Sequence, residues 1–145
     1  KVESLGVSVT TPGSAGLDNG KVFYNGVQVG STKDLSGTTV FELNSSMVLK
    51  AGAVGVVEVY ADTKKADGSS YANGNTVSVS LAAGSSNAQR ASSFTTLNVP
   101  ASSVSGNTIA LSSSSATVSK ASGYSDHTFV AGALDAKIGS FVIFT

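Results

Sequence analysis

The sequence predicts an all-β fold, antiparallel strands stacked as a β-sandwich, on three observations. Apolar residues recur at every second position over short runs, the spacing of strands with one buried face. Gly, Asn, Asp and Ser clusters separate these runs at close intervals, which is turn chemistry for antiparallel connections and not for βαβ units. Composition agrees: the hydrophobic share of 41% leans on Val and Ala, charged residues make up 12%, and Ser, Thr and Gly are abundant. A closed barrel is the alternative way of using such strands. At 145 residues one domain is the default.

The elements follow in chain order. "VESLGVSVT" places Leu5, Val7 and Val9 on one face of a half-buried strand. "TPGSAGLDNG" reads as a loop. "KVFYNGVQVGS" carries Asn25-Gly26 between two β-rich arms, a hairpin signal, because both central residues of a type I′ turn need positive φ. "TTVFEL" points Thr39, Phe41 and Leu43 one way, and "NSS" at Asn44 reads as a turn that also matches a glycosylation sequon. "MVLKAGAVGVVEVYADT" has the longest helix-like window, but Gly52, Gly55 and its Val content favour strand. Within it Val57, Val59 and Ala61 form the buried face against Val56, Glu58 and Tyr60. A polar region with Asp67-Gly68 and Asn73-Gly74 turns precedes "TVSVSLAAG", with Val77, Val79 and Leu81 inward. "SFTTLNV" and "NTIAL" are shorter strands around Pro100. A Ser-rich connector then leads into a short strand, and "TFVAGALDAKIGSFVIFT" returns to β.

Charge and composition exclude several function classes. Lys plus Arg and Asp plus Glu are 9 each, so no basic field attracts nucleic acid or anionic lipid. With no Cys there is no disulfide, thiol nucleophile or zinc-thiolate site. No run reaches transmembrane-helix length. His127, the only His, has Asp126 beside it, but no nucleophile-elbow pattern accompanies the many serines. Glu3, Asp18, Glu42, Glu58, Asp62 and Asp67 show no spacing that fixes an acid/base pair. The chain reads as no enzyme. Tyr24, Tyr60, Tyr71 and Tyr124 are candidates for carbohydrate stacking, with packing as the plainer role. No motif selects a Lys and Asn for an isopeptide crosslink.

The order "NGKVFYNGVQVGST", "TTVFELNSSMVLKAGAVGVVEVYADT", "GNTVSVSL" resembles the immunoglobulin-like repeat modules of bacterial surface-layer and adhesin-like proteins. That resemblance covers most of residues 1–112 and implies an immunoglobulin-like β-sandwich on an extracellular cell surface. It also implies that "ATVSKASGYSDHTFVAGALDAKIGSFVIFT" is similar to the opening two strands of such a module, with Gly132 in their turn and "KIGSFVIFT" as the second strand. Both ends of the chain then read as cut through a fold: a body at 1–112 lacking its first strands, and a segment at 113–145 supplying strands of that type.

The expected function is a structural subunit of a cell-surface filament or layer, with copies of itself as partners. Ile138, Phe141, Val142, Ile143 and Phe144 form the assembly strand, and Leu5, Val7 and Val9 form or adjoin the receiving strand. If the strand enters another copy the contact is head-to-tail and does not close; if it returns to its own body the sandwich is circularly permuted. An ordinary final strand of a self-contained sandwich is the plainer reading. The runner-up function is an adhesin-type module that recognises glycan or protein on a host or neighbouring cell through its loops. No cofactor or metal is assigned; the resemblance makes calcium the ion to consider, through Asp18, Asn19, Asp62 and Asp67, although "DTKKADG" puts Lys64 and Ala66 where an EF-hand needs oxygen ligands.

Overall fold

Alternation with period two becomes strands wherever one face finds a core. The computed structural model describes residues 1–112, 117–123, 125 and 128–144, and among them no α-helix occurs. The chain divides into two compact units, Lys1–Ser112 and Ser113–Thr145.

In the first unit β1 (Val2–Thr10) is followed by a short 3-10 turn at Pro12–Ser14, then by β2 (Leu17–Tyr24), β3 (Val27–Leu35) and β4 (Thr38–Met47). Next come β5 (Val57–Asp62), β6 (Thr76–Leu81), the two-residue strands β7 (Ala88–Gln89) and β8 (Thr96–Leu97), and β9 (Val104–Ala110). One antiparallel sheet runs β8-β7-β1-β6-β9 with β4 on the other edge of β1, and a second runs β3-β2-β5. Buried residues from both sheets form one core, in which Leu5, Val7, Val22, Val29, Leu35, Phe41 and Leu43 are shut off from solvent. Each such side chain contributes about 1.5–3 kcal/mol of transfer free energy.

The hairpin forms as its sequence demands. Asn25 and Gly26 both take left-handed φ, 49° and 79°, and Tyr24 pairs with Val27 across the turn. Val57, Val59 and Ala61 of β5 pack against the core while Glu58 and Tyr60 point out, and Val77, Val79 and Leu81 of β6 also face inward. In β1 the alternation is broken once: a bulge between Val2 and Ser4 lets both Val2 and Leu5 reach the core.

Three local expectations change, and one buried polar group is added to them. Asp18 and Asn19 are not in the loop "TPGSAGLDNG"; that loop ends at Gly16, and β2 begins at Leu17 with register shifts around Gly20, where Asn19 has φ 54°. Asn44 is not in a turn but within β4, again at left-handed φ. "SFTTLNV" yields only Thr96–Leu97 as strand, whereas β9 begins at Val104, before "NTIAL". Asn87, passed over by periodicity, is a buried polar clamp. Its Nδ2 donates to the Ser4 and Val99 carbonyls at 2.7 and 2.6 Å, and its Oδ1 accepts from Val99 N–H at 2.8 Å. A buried amide must be satisfied in this way.

In the second unit β10 (Thr117–Lys120) pairs antiparallel with β11 (Phe141–Phe144), with Val118 opposite Ile143 and Lys120 opposite Phe141. Ala121 N–H extends the ladder to the Ser140 carbonyl at 2.9 Å. A turn closed by Ala133 N–H on the Val130 carbonyl contains Gly132 at φ 90°, in the turn expected there, but strand resumes only at Phe141 and not at Lys137.

Candidate functional site

A four-residue strand of Phe, Val, Ile and Phe has no polar face, so both sides require cover. In β11, Phe141 is 71% exposed and Ile143 67%, with Val142 at 38%. Ile138, ahead of the strand, is 90% exposed. The sheet formed by β10 and β11 has two strands. Among the described residues, open apolar faces and an unpaired backbone edge coincide on this strand, the physical conditions for adding to another sheet. The side chain of Phe144 lies outside the described residues.

Leu5, Val7 and Val9 occupy a different kind of position. They lie on β1, which pairs with β4 along Ser4–Ser8 on one edge and with β6 along Val7–Thr10 on the other. Glu3 N–H donates to the Asn87 carbonyl and Ala82 N–H to the Gly6 carbonyl, filling the rest of that second edge. As a central strand β1 offers no backbone edge to an incoming strand, so the receiving role expected of Leu5, Val7 and Val9 does not fit this pairing.

The acidic candidates separate into two places. Asp18 faces Asp62 across the β2–β5 ladder; Asn19 donates from Nδ2 to the Asp62 carboxylate at 2.8 Å and from its backbone N–H to the Asp34 carboxylate at 3.2 Å. Partial burial, a hydrogen bond with the Asp34 carboxyl and the negative charges of Asp34 and Asp62 hold the Asp18 carboxyl above its ordinary 3.8, against the Asn19 backbone N–H. Asp34 belongs to this group yet escaped sequence reading: the Asn25-Gly26 hairpin sets β3 beside β2, but the register shifts around Gly20 that bring Asp34 to Asn19 are not announced locally. Asp67 is held below its ordinary value by Ser69, first through its hydroxyl and then through its backbone N–H at 2.8 Å. That is an Asx turn serving the backbone. Among the described residues no group of three or more His, Cys, Asp or Glu side chains is placed to hold a metal ion.

The described tyrosines, Tyr24, Tyr60 and Tyr71, do not share a face. Tyr71 is buried, its hydroxyl donating to the Gly16 carbonyl, and Tyr24 packs against the core. Tyr60 stands on the outer side, edge-on to Phe23 at 5.0 Å between ring centroids. His127, Asp126 and Tyr124 lie outside the described residues, as does most of the Ser cluster at 112–115. Among the described residues no helix is long and apolar enough to cross a membrane. Protein-family models, curated proteins and solved structures were all compared with the chain, and none matches.

Proposed function

We propose that this protein is a non-enzymatic structural module of an extracellular cell-surface filament or layer. Its body is read as an immunoglobulin-like sandwich and its β10–β11 segment as the donor that joins successive copies head to tail. The observation that carries this reading is the exposure of Phe141 and Ile143 on a strand whose sheet, among the described residues, contains one other strand. Apolar strand surface of this kind in water drives association. Two antiparallel sheets sharing one core support the sandwich, and a Ser/Thr-rich composition without cysteine is compatible with a surface exposed outside the cell.

Donation between copies is heterologous, the strand of one entering the sheet of the next, so it generates open chains unless a ring closes. Light scattering over a concentration series tests it. The expected result is a molar mass that climbs with concentration for the full chain and stays at that of one copy for Phe141→Asp. A constant single-copy mass for both would sink the reading.

A second reading, an adhesin-type module, has the outward Phe23–Tyr60 pair in its favour, since exposed aromatic faces suit sugar rings. Saturable binding to a glycan array that is lost in Tyr60→Ala would favour it.

A further inference from the structure

Core burial in the body is uneven. Inward side chains on β1 to β4, such as Val29, Leu35, Phe41 and Leu43, are closed off from solvent. The inward row of β5, Val57, Val59 and Ala61, packs on the same core but is only half-buried, as are Val79 and Leu81 on β6. Cover is therefore incomplete where β5 ends its sheet. No strand pairs with β5 on the edge away from β2 among the described residues.

The ladder shows what that edge presents. Bonded and non-bonded pairs alternate between antiparallel strands. Asn25 N–H donates to the Val56 carbonyl at 2.9 Å, which sets the phase: Phe23–Glu58 and Lys21–Tyr60 are the bonded pairs. The N–H and C=O groups of Val57 and Val59 then point to the unpaired edge. The same residues thus offer an open backbone ladder and an incompletely covered apolar row.

Other edges are less suited. On β3, Gly30 has φ 75° and Lys33 turns its ammonium to the Val40 carbonyl, interruptions that protect an edge. The middle of β9 is Ser105, Gly106, Asn107 and Thr108, and β8 has two residues. The complementary piece is β11, where Phe141 and Ile143 form an uncovered apolar row of matching period.

Resting on the strand-donation reading above, we infer that the free edge of β5 is the receiving site and that β11 of a second copy occupies it. The added strand extends β3-β2-β5 and lays Phe141 and Ile143 toward Val57, Val59 and Ala61. The contact buries one aromatic side chain, about 150–250 Å², together with Ile143 and the remaining exposed part of the β5 row, which falls below the roughly 1,200 Å² at which specific stable interfaces begin. The joint is therefore proposed as a weak, reversible one whose chain length follows concentration.

The absence of cysteine in the chain allows a directed test. Full-length copies carrying Glu58→Cys or Tyr60→Cys on the outer face of β5 are mixed with separate copies carrying Val142→Cys on β11. A second mixture pairs Asn107→Cys on β9 with Val142→Cys. Both are oxidised across the concentration series, beside light scattering of the unsubstituted chain. The expected result is a severalfold higher crosslink yield at β5 than at β9, rising with mass and abolished when the Val142→Cys copy also carries Phe141→Asp. If mass rises but crosslinks favour Asn107→Cys, the β5 site is overturned while strand donation stands. If mass stays at one copy and no interchain crosslink exceeds the single-variant controls, both fall.

Discussion

At the scale of single residues, stability rests on a few buried groups whose neighbours cannot compensate for them. Phe41 is fully buried between the sheets, and Phe41→Ala is expected to cost about 3–5 kcal/mol, read from chemical denaturation. Asn87 holds Ser4 and Val99 together with one amide; Asn87→Ala is expected to cost about 1–3 kcal/mol because Val99 N–H and two carbonyls lose their partner. Asp18 behaves in the opposite sense. Its carboxyl is raised above 3.8 in the folded chain, so just above that value the folded state keeps a proton the unfolded state releases. Stability at this site is therefore highest below 3.8 and falls as pH rises through the folded value. Asp34→Asn keeps an acceptor for Asn19 N–H and removes the charge facing Asp18; the melting temperature is expected to rise at neutral pH and change little in acid. A fall at neutral pH would contradict this electrostatic reading. Asp67, lowered by Ser69, has the reverse sign: it adds stability above 3.8 that is lost as pH falls through its folded value.

At the scale of elements, two glycines separate turn geometry from close packing. Gly26 sits at φ 79° with open space where a methyl group would project, so Gly26→Ala carries only the left-handed backbone cost, about 1–2 kcal/mol. At Gly20 a Cβ would collide with the Leu35 side chain and meet the Lys33 carbonyl at 2.7 Å, and φ is not the issue. Gly20→Ala is expected to cost about 1–3 kcal/mol or more through displacement of β3, with the larger fall in denaturation midpoint of the two. Elements set by local chemistry were legible beforehand: the Asn25-Gly26 hairpin, the buried row of β5 and the alternation of β6 each follow from side chains within a few positions. What was not legible depended on partners far along the chain. The two-residue strand β7 exists because Val2 and Leu97 pair with Ala88, and nothing in "NAQR" announces it, while the strand read over "SFTTLNV" shrinks to the two residues of β8 that find this partner. Likewise β1 has the pattern of a half-buried strand whether it lies at an edge or in the centre, so its central place, and with it the loss of Leu5, Val7 and Val9 as receivers, required the register.

At the scale of the whole molecule, the body and the β10–β11 segment are built on different terms. The body buries apolar side chains from both its sheets in one core, while β11 leaves Phe141 and Ile143 open. The apolar character of β11 was legible in "FVIF"; the half-buried row of β5, proposed above as its receiver, was not, because partial burial is a property of the folded sheet. The candidate calcium residues show the same division: proximity of Asp18, Asn19 and Asp62 emerges from pairing, and Asp67 belongs to a separate turn. The measurement that bears most directly on strand donation is the molar mass of the full chain by light scattering across concentration, with Phe141→Asp alongside. Because Phe141 is exposed, that variant should unfold at the same temperature as the unsubstituted chain at concentrations where both are single copies. Mass that climbs for the unsubstituted chain and stays at one copy for the variant is the expected result; a single-copy mass for both at every concentration would contradict assembly through β11.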